Sequence, residues 1–126
     1  MFVRAGRLVF VLNRAGDEAR VESEVPIPPG RHELTAVYTP GFDGPGLGLF
    51  HDDELVAHAV LEVRAPMVFQ HGGTALSLGR DRGLPVSDDY EPPFPWTGTL
   101  HNVVIETGPA IEPSVTERMR GLLHSE

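Results

Sequence analysis

Five apolar residues in succession, Leu8, Val9, Phe10, Val11 and Leu12, stand between Gly6-Arg7 and Asn13. A run this short, rich in Val and Phe and closed by turn formers, predicts a strand buried on both faces. Gly16-Asp17 then turns the chain. Over 21–25 the pattern becomes alternating, with Val21, Ser23 and Val25 on one side and Glu22 and Glu24 on the other. Pro26, Pro28 and Pro29 end that strand, because proline cannot donate to a ladder, and Pro29-Gly30 is a turn signal. Leu34, Ala36 and Tyr38 share one face of the next strand, while Thr35, Val37 and Thr39 share the other. Residues 40–48 carry four glycines and two prolines and read as a loop. Segments 49–51 and 55–63 flank Asp52-Asp53-Glu54, which predicts a β-hairpin, since Asp tolerates a left-handed turn better than most residues.

Met67-Val68-Phe69 and 75–78 read as two short strands around His71-Gly72-Gly73. Residues 79–98 form a long, acidic, proline-rich loop, and 98–106 return to a β pattern. The tail differs. Ser114 stands three residues before Glu117, a capping box. Val115, Met119 and Leu122 then fall on one helical face, although Gly121 weakens the helix. Gly108-Pro109 is the one boundary, dividing a β domain over 1–108 from a tail with a short amphipathic helix over 109–126. Seven or eight short strands punctuated by turns predict an all-β, antiparallel sandwich.

Composition narrows the function. The chain has 126 residues, 40% hydrophobic and 22% charged, which is one ordinary domain. A formal charge of −8 disfavours nucleic acid as a partner, and the ten cations, all Arg, are too scattered to make a patch. The absence of cysteine excludes disulfides, thiolate metal sites and Cys nucleophiles. The 8–12 run is too short to span a bilayer, so no membrane partner is expected. Residues 1–6 lack the apolar centre of a signal peptide, which points to the cytoplasm.

Little candidate chemistry emerges. Gly44, Gly46 and Gly48 precede no helical pattern and no Lys follows, so there is no phosphate-cradling loop. Six histidines lie scattered at 32, 51, 58, 71, 101 and 124 without a helical zinc pair. His58, between Ala57 and Ala59, reads as a sheet histidine with metal ligation as the alternative, and His51 and His101 read likewise. Asp81, Asp88, Asp89 and Glu91 cluster in the long loop. They read as turn caps, with calcium, through Asp81, Asp88 and Asp89, as the alternative; otherwise no cofactor is expected. Tyr90, Phe94 and Trp96 are interleaved with Pro92, Pro93 and Pro95. They either pack on the sandwich end or on another domain, or present a sugar platform.

One part of the chain resembles a known family. The motif is Val68-Phe69, then Leu78-Gly79-Arg80-Asp81-Arg82-Gly83-Leu84-Pro85-Val86-Ser87-Asp88-Asp89-Tyr90, then Pro93-Phe94-Pro95-Trp96-Thr97-Gly98-Thr99. It resembles the C-terminal domain of large bacterial arylsulfatases, whose run reads approximately V-G-x-D-x-G-x-P-V-S-x-D-Y and then P-F-x-F-T-G-T. Gly6-Arg7-Leu8-Val9-Phe10, Asn13, Pro28-Pro29-Gly30-Arg31-His32 and 49–57 match in the same order, so the resemblance spans about residues 2–107.

The resemblance implies a concanavalin A-like, or laminin-G-like, jelly roll that does no chemistry itself and accompanies a catalytic α/β domain. The family's catalytic signature is C-x-P-x-R or its Ser variant, whose first residue becomes a formylglycine acting beside a divalent cation. This chain has no Cys and no S-x-P-x-R, so it is expected to be inactive alone. The implied partner is a sulfatase catalytic domain or chain, met through Tyr90, Phe94 and Trp96. The alternative is a free-standing carbohydrate-binding module using the same aromatics. Two positions depart from the family: Asp52-Asp53 replaces its usual Asp-Gly turn, and Ser77 replaces an acidic residue. Phe2-Val3 reads as the end of an element whose predecessors are missing. One or two N-terminal strands are then lacking, and an open apolar edge at 8–12 would invite self-association or a strand from a partner.

Overall fold

The computed structural model describes residues 1–14, 16–41, 43–62 and 76–108. They belong to two compact units, one formed by the described residues up to 62 and the other by 76–108. The first unit is all-β. Strands β1 (Phe2–Arg4), β2 (Arg7–Arg14) and β3 (Asp17–Glu22) form one antiparallel sheet in that order. Strands β4 (Leu34–Thr39), β5 (Gly46–His51) and β6 (Glu54–Val60) form a second. No helix among the described residues is long and apolar enough to cross a membrane. The capping-box helix of the tail lies outside the described residues, as do His71 and the segment 67–69.

Strand β2 is the apolar run, and it is central. Leu8, Val9 and Val11 are all buried. Leu8, with Phe10 and Leu12 beside it, joins a core cluster with Ala19 and Val21 of β3, Leu47 and Leu49 of β5, and Leu61. Both sheets thus contribute to one core, and Ala36, Leu49 and Ala57 form a cross-strand row on its second wall. The expectation of an open edge at 8–12 is corrected only for its first residues: β3 lines β2 over 9–14 on one side, while β1 covers only 7–9 on the other. β1 pairs β2 on one side and β3 on the other, because Ala5 and Gly6, both at positive φ (50° and 76°), fold β1 back in a two-residue hairpin.

Other boundaries also move. β3 begins four residues before the alternating segment, at Asp17, and Ser23 follows it as a buried extension. The Ser23 N–H donates to Leu8 O at 2.9 Å. Its Oγ accepts from Leu8 N–H at 3.0 Å and donates to Val25 O at 3.1 Å. One hydroxyl therefore stands in for one of the two ladder bonds to Leu8, just ahead of the prolines. Gly46 and Gly48, read as loop, lie in β5, alternating with the buried Leu47 and Leu49. At Gly48 a Cβ would stand 3.0 Å from the Phe50 ring, so a side chain there would require the ring to shift.

In the second unit, 76–78 and 98–106 form no strand. This corrects the β reading of both. Val103, Val104 and Ile105 are exposed, and alternation without a neighbouring strand makes no ladder.

Candidate functional site

Two polar clusters stand out, one in each unit. The first grows from the β5–β6 hairpin. Asp52 and Asp53 form its turn with φ of 47° and 68°, the pair of left-handed residues that a two-residue turn of this twist requires. His51 and Glu54 are the last paired residues below it. The register that sets Leu34 opposite His51 brings the chain ahead of β4 alongside. There the Asp52 N–H donates to Glu33 O at 2.9 Å, and the Glu33 N–H donates to Asp52 Oδ1 at 2.8 Å. His32 is delivered to the same place.

Three ligand-type atoms converge. His32 Nδ1 lies 2.6 Å from Asp52 Oδ2, and His51 Nε2 lies 2.9 Å from His32 Nδ1 and 3.1 Å from Asp52 Oδ2. The two rings meet edge-on, centroids 4.5 Å apart. His32 Nε2 lies 3.3 Å from Pro29 O. The hydrogen bond to Asp52 raises the His32 pKa above its ordinary value, burial opposing. The Asp52 carboxyl is held below its usual range, first by the Glu33 N–H and then by His32. Both histidine side chains are largely covered, whereas the Asp52 side chain is 49% exposed, so solvent reaches the group. His51 also lines an open groove of about 250 Å³ with Leu8, Ile27, Pro28 and Val56.

The second cluster is the 79–98 loop. Trp96 N–H donates to Gly79 O at 2.6 Å and Asp81 N–H donates to Pro93 O at 2.8 Å, tying the two legs of the loop together. Asp81 is the hub. Its Oδ1 accepts the Arg82 N–H at 2.8 Å and its Oδ2 accepts the Tyr90 hydroxyl at 2.6 Å. The Tyr90 oxygen in turn accepts the Val86 N–H at 3.2 Å. Burial, and then the Asp81 carboxylate, push the Tyr90 phenol above its ordinary pKa. The Tyr90 and Phe94 rings stack at 4.7 Å with planes 21° apart. Ser87, buried, accepts the Asp89 N–H at 3.2 Å. The Pro92–Pro93 peptide is cis.

The sequence-predicted residues therefore separate. Tyr90, Phe94 and Asp81 are joined in one network, while Trp96 closes the loop through its backbone and covers Gly98 with its indole. Phe94 and Trp96 remain 37% and 45% exposed. Asp81, Asp88 and Asp89 do not converge. Among the described residues the only trio of metal-ligating side chains that does is His32, His51 and Asp52. Sequence reasoning read His51 as a sheet residue with metal ligation as the alternative, and singled out no role for His32. The available signal was the hairpin turn at Asp52-Asp53, which fixes the β5 register and hence what stands beside His51. No protein family, no curated protein and no solved structure matches the chain.

Proposed function

We propose that this chain serves as a non-catalytic accessory β-module of the arylsulfatase type, a concanavalin A-like sandwich that docks on a sulfatase catalytic domain or chain through its 79–98 loop. One observation carries the reading. The loop residues that resemble the family motif, Gly79, Asp81, Tyr90, Pro93 and Trp96 among them, take part in the loop's internal bonds. The loop is thus internally tied, while Phe94 and Trp96 keep large apolar area exposed. An ordered loop has little entropy left to lose on binding, and exposed aromatics of this size anchor interfaces. The two antiparallel sheets over one core agree with a sandwich. Chemistry falls to the partner, since no formylglycine precursor is present.

The test is co-purification with an arylsulfatase catalytic domain stripped of its own C-terminal domain. A complex is expected, and Trp96→Ala should abolish it without changing the melting temperature. Failure of the unaltered chain to bind, or equal binding by Trp96→Ala, overturns the proposal. Glycan binding lost in Trp96→Ala, without any sulfatase complex, would instead assign a carbohydrate-binding module. Purified chain should hydrolyse no aryl sulfate; turnover surviving repurification would contradict the accessory role.

A further inference from the structure

We propose that His32, His51 and Asp52 form a binding site for a divalent first-row transition ion of the zinc type, independent of the docking loop. The three donor atoms define a triangle with sides of 2.6, 2.9 and 3.1 Å. Ligands about 2.0 to 2.2 Å from a tetrahedral zinc ion stand about 3.3 to 3.6 Å from one another. The triangle is therefore somewhat tighter than one coordination face: its longest side, 3.1 Å, must open by a few tenths of an ångström and its shortest, 2.6 Å, by about 0.7 Å or more, within reach of side-chain rotation. Two imidazoles and one carboxylate suit zinc, iron, cobalt or nickel, not calcium or magnesium, which take oxygen.

The far side of two ligands is braced, and this is the second argument. Pro29 O faces His32 Nε2. A neutral ring that keeps its proton there, donating to that carbonyl, leaves the Nδ1 lone pair aimed at Asp52 and His51. Asp52 Oδ1 is held by the Glu33 N–H, which leaves Oδ2 for the ion. Backbone carbonyls and amides in these roles fix the tautomer and orientation of metal ligands. Three protein ligands with an exposed carboxylate leave further coordination positions to water or to a small anionic ligand, the open arrangement seen at non-structural zinc sites. The ion would also clip the proline-rich segment ahead of β4 to the tip of the β5–β6 hairpin.

The test is calorimetric titration of the full chain with zinc chloride in a non-coordinating buffer, repeated with cobalt(II) to read its visible absorption. One ion per chain is expected, with cobalt bands of low coordination number. His32→Ala, His51→Ala and Asp52→Asn should each weaken binding tenfold or more, while His58→Ala, His101→Ala and His124→Ala leave it unchanged. Asp52→Asn retains the left-handed turn and the acceptor for Glu33 N–H, so it separates ligation from folding. No zinc uptake at millimolar concentration, or uptake that survives all three substitutions or is lost with a control histidine, overturns the proposal. Where an alanine variant fails to fold, proton NMR of the unaltered chain with cobalt(II) decides. Paramagnetic shifts on the His32 and His51 rings support the site, and their absence refutes it.

Discussion

Replacing Ser23 with alanine tests whether one hydroxyl completes the first sheet. The residue is only 2% exposed, and its Oγ is the partner of the Leu8 N–H in a strand that is itself buried. Alanine removes no packing of consequence, so a purely hydrophobic view expects the variant to be neutral or slightly more stable. The hydrogen-bond view expects otherwise. The Leu8 amide would be left buried with its acceptor gone, and an orphaned buried donor costs about 1 to 3 kcal/mol. Val25 O loses a donor too, but Val25 is exposed and water can replace it at little cost. The expected loss is thus about 1 to 3 kcal/mol and comes almost entirely from one N–H. Urea unfolding measures it: with a slope of about 2 kcal/mol per molar, a loss of about 2 kcal/mol lowers the midpoint by about 1 M. Amide exchange supplies the local readout, since Leu8 N–H should lose protection while its neighbours in β2 follow only the global change. A variant within about 0.5 kcal/mol of the parent, with Leu8 protection retained, would refute the assignment.

Three further outcomes are expected. Ala5 sits at φ 50° in the β1–β2 turn, where a side chain with no local hydrogen bond costs about 1 to 2 kcal/mol, so Ala5→Asn should raise stability by up to about 1 kcal/mol in the same urea assay; a loss would show that the turn does not hold that conformation. Tyr90 should ionise above the ordinary phenol pKa in an ultraviolet alkaline titration of a Tyr38→Phe chain, because burial and then Asp81 disfavour the phenolate. Its folded pKa is raised, so its contribution to stability is full below the unfolded phenol pKa and is lost as pH climbs above about 10; a Tyr90 transition at the ordinary phenol pKa would contradict this. Calcium should leave the melting temperature unchanged, since both Asp81 oxygens are engaged and Asp81, Asp88 and Asp89 do not converge; a chelator-reversible rise matching the roughly 2.7 kcal/mol gained at a hundred times the dissociation constant would refute that.

The parts of the fold legible in the sequence are those in which side-chain pattern and backbone chemistry agree. The β2 run announced itself because both its faces are apolar and both faces are buried. The β5–β6 hairpin was visible because aspartates occupy the left-handed positions. Where the pattern lacked side chains it misled. Gly46 and Gly48 disguised the first half of β5 as loop, although Leu47 and Leu49 between and after them already carried the period of two. Small Ala19 hid the start of β3, and Ser23 counted as an ordinary ladder residue although its hydroxyl, not its carbonyl, accepts the Leu8 N–H. Segment 98–106 had the alternation of a strand but forms none, because a strand is defined by its neighbour as much as by its own residues.

The histidine cluster was illegible for a different reason. His32 and Asp52 are separated by 20 residues, and His51 and His32 by 19. No local motif of ligand spacing exists at such distances; only the β4–β5 register turns them into neighbours. Asp52 shows how tightly chemistry and folding are joined at this point. It holds a left-handed turn position, its backbone N–H bonds Glu33, one carboxylate oxygen secures the Glu33 amide, and the other faces both histidines. A glycine at 52 would satisfy the turn better than aspartate does and would keep the N–H bond to Glu33 O, but it would lose every carboxylate contact. The residue is therefore explained by the turn only in part. Its carboxylate orders the segment that carries His32, and that ordering turns two distant histidines into one group. The sheet behind it is generic: apolar rows that many sequences could supply. What is particular to this chain lies at one hairpin tip and in one braced loop, and in each a single aspartate, Asp52 or Asp81, holds the backbone with one oxygen and meets side chains with the other.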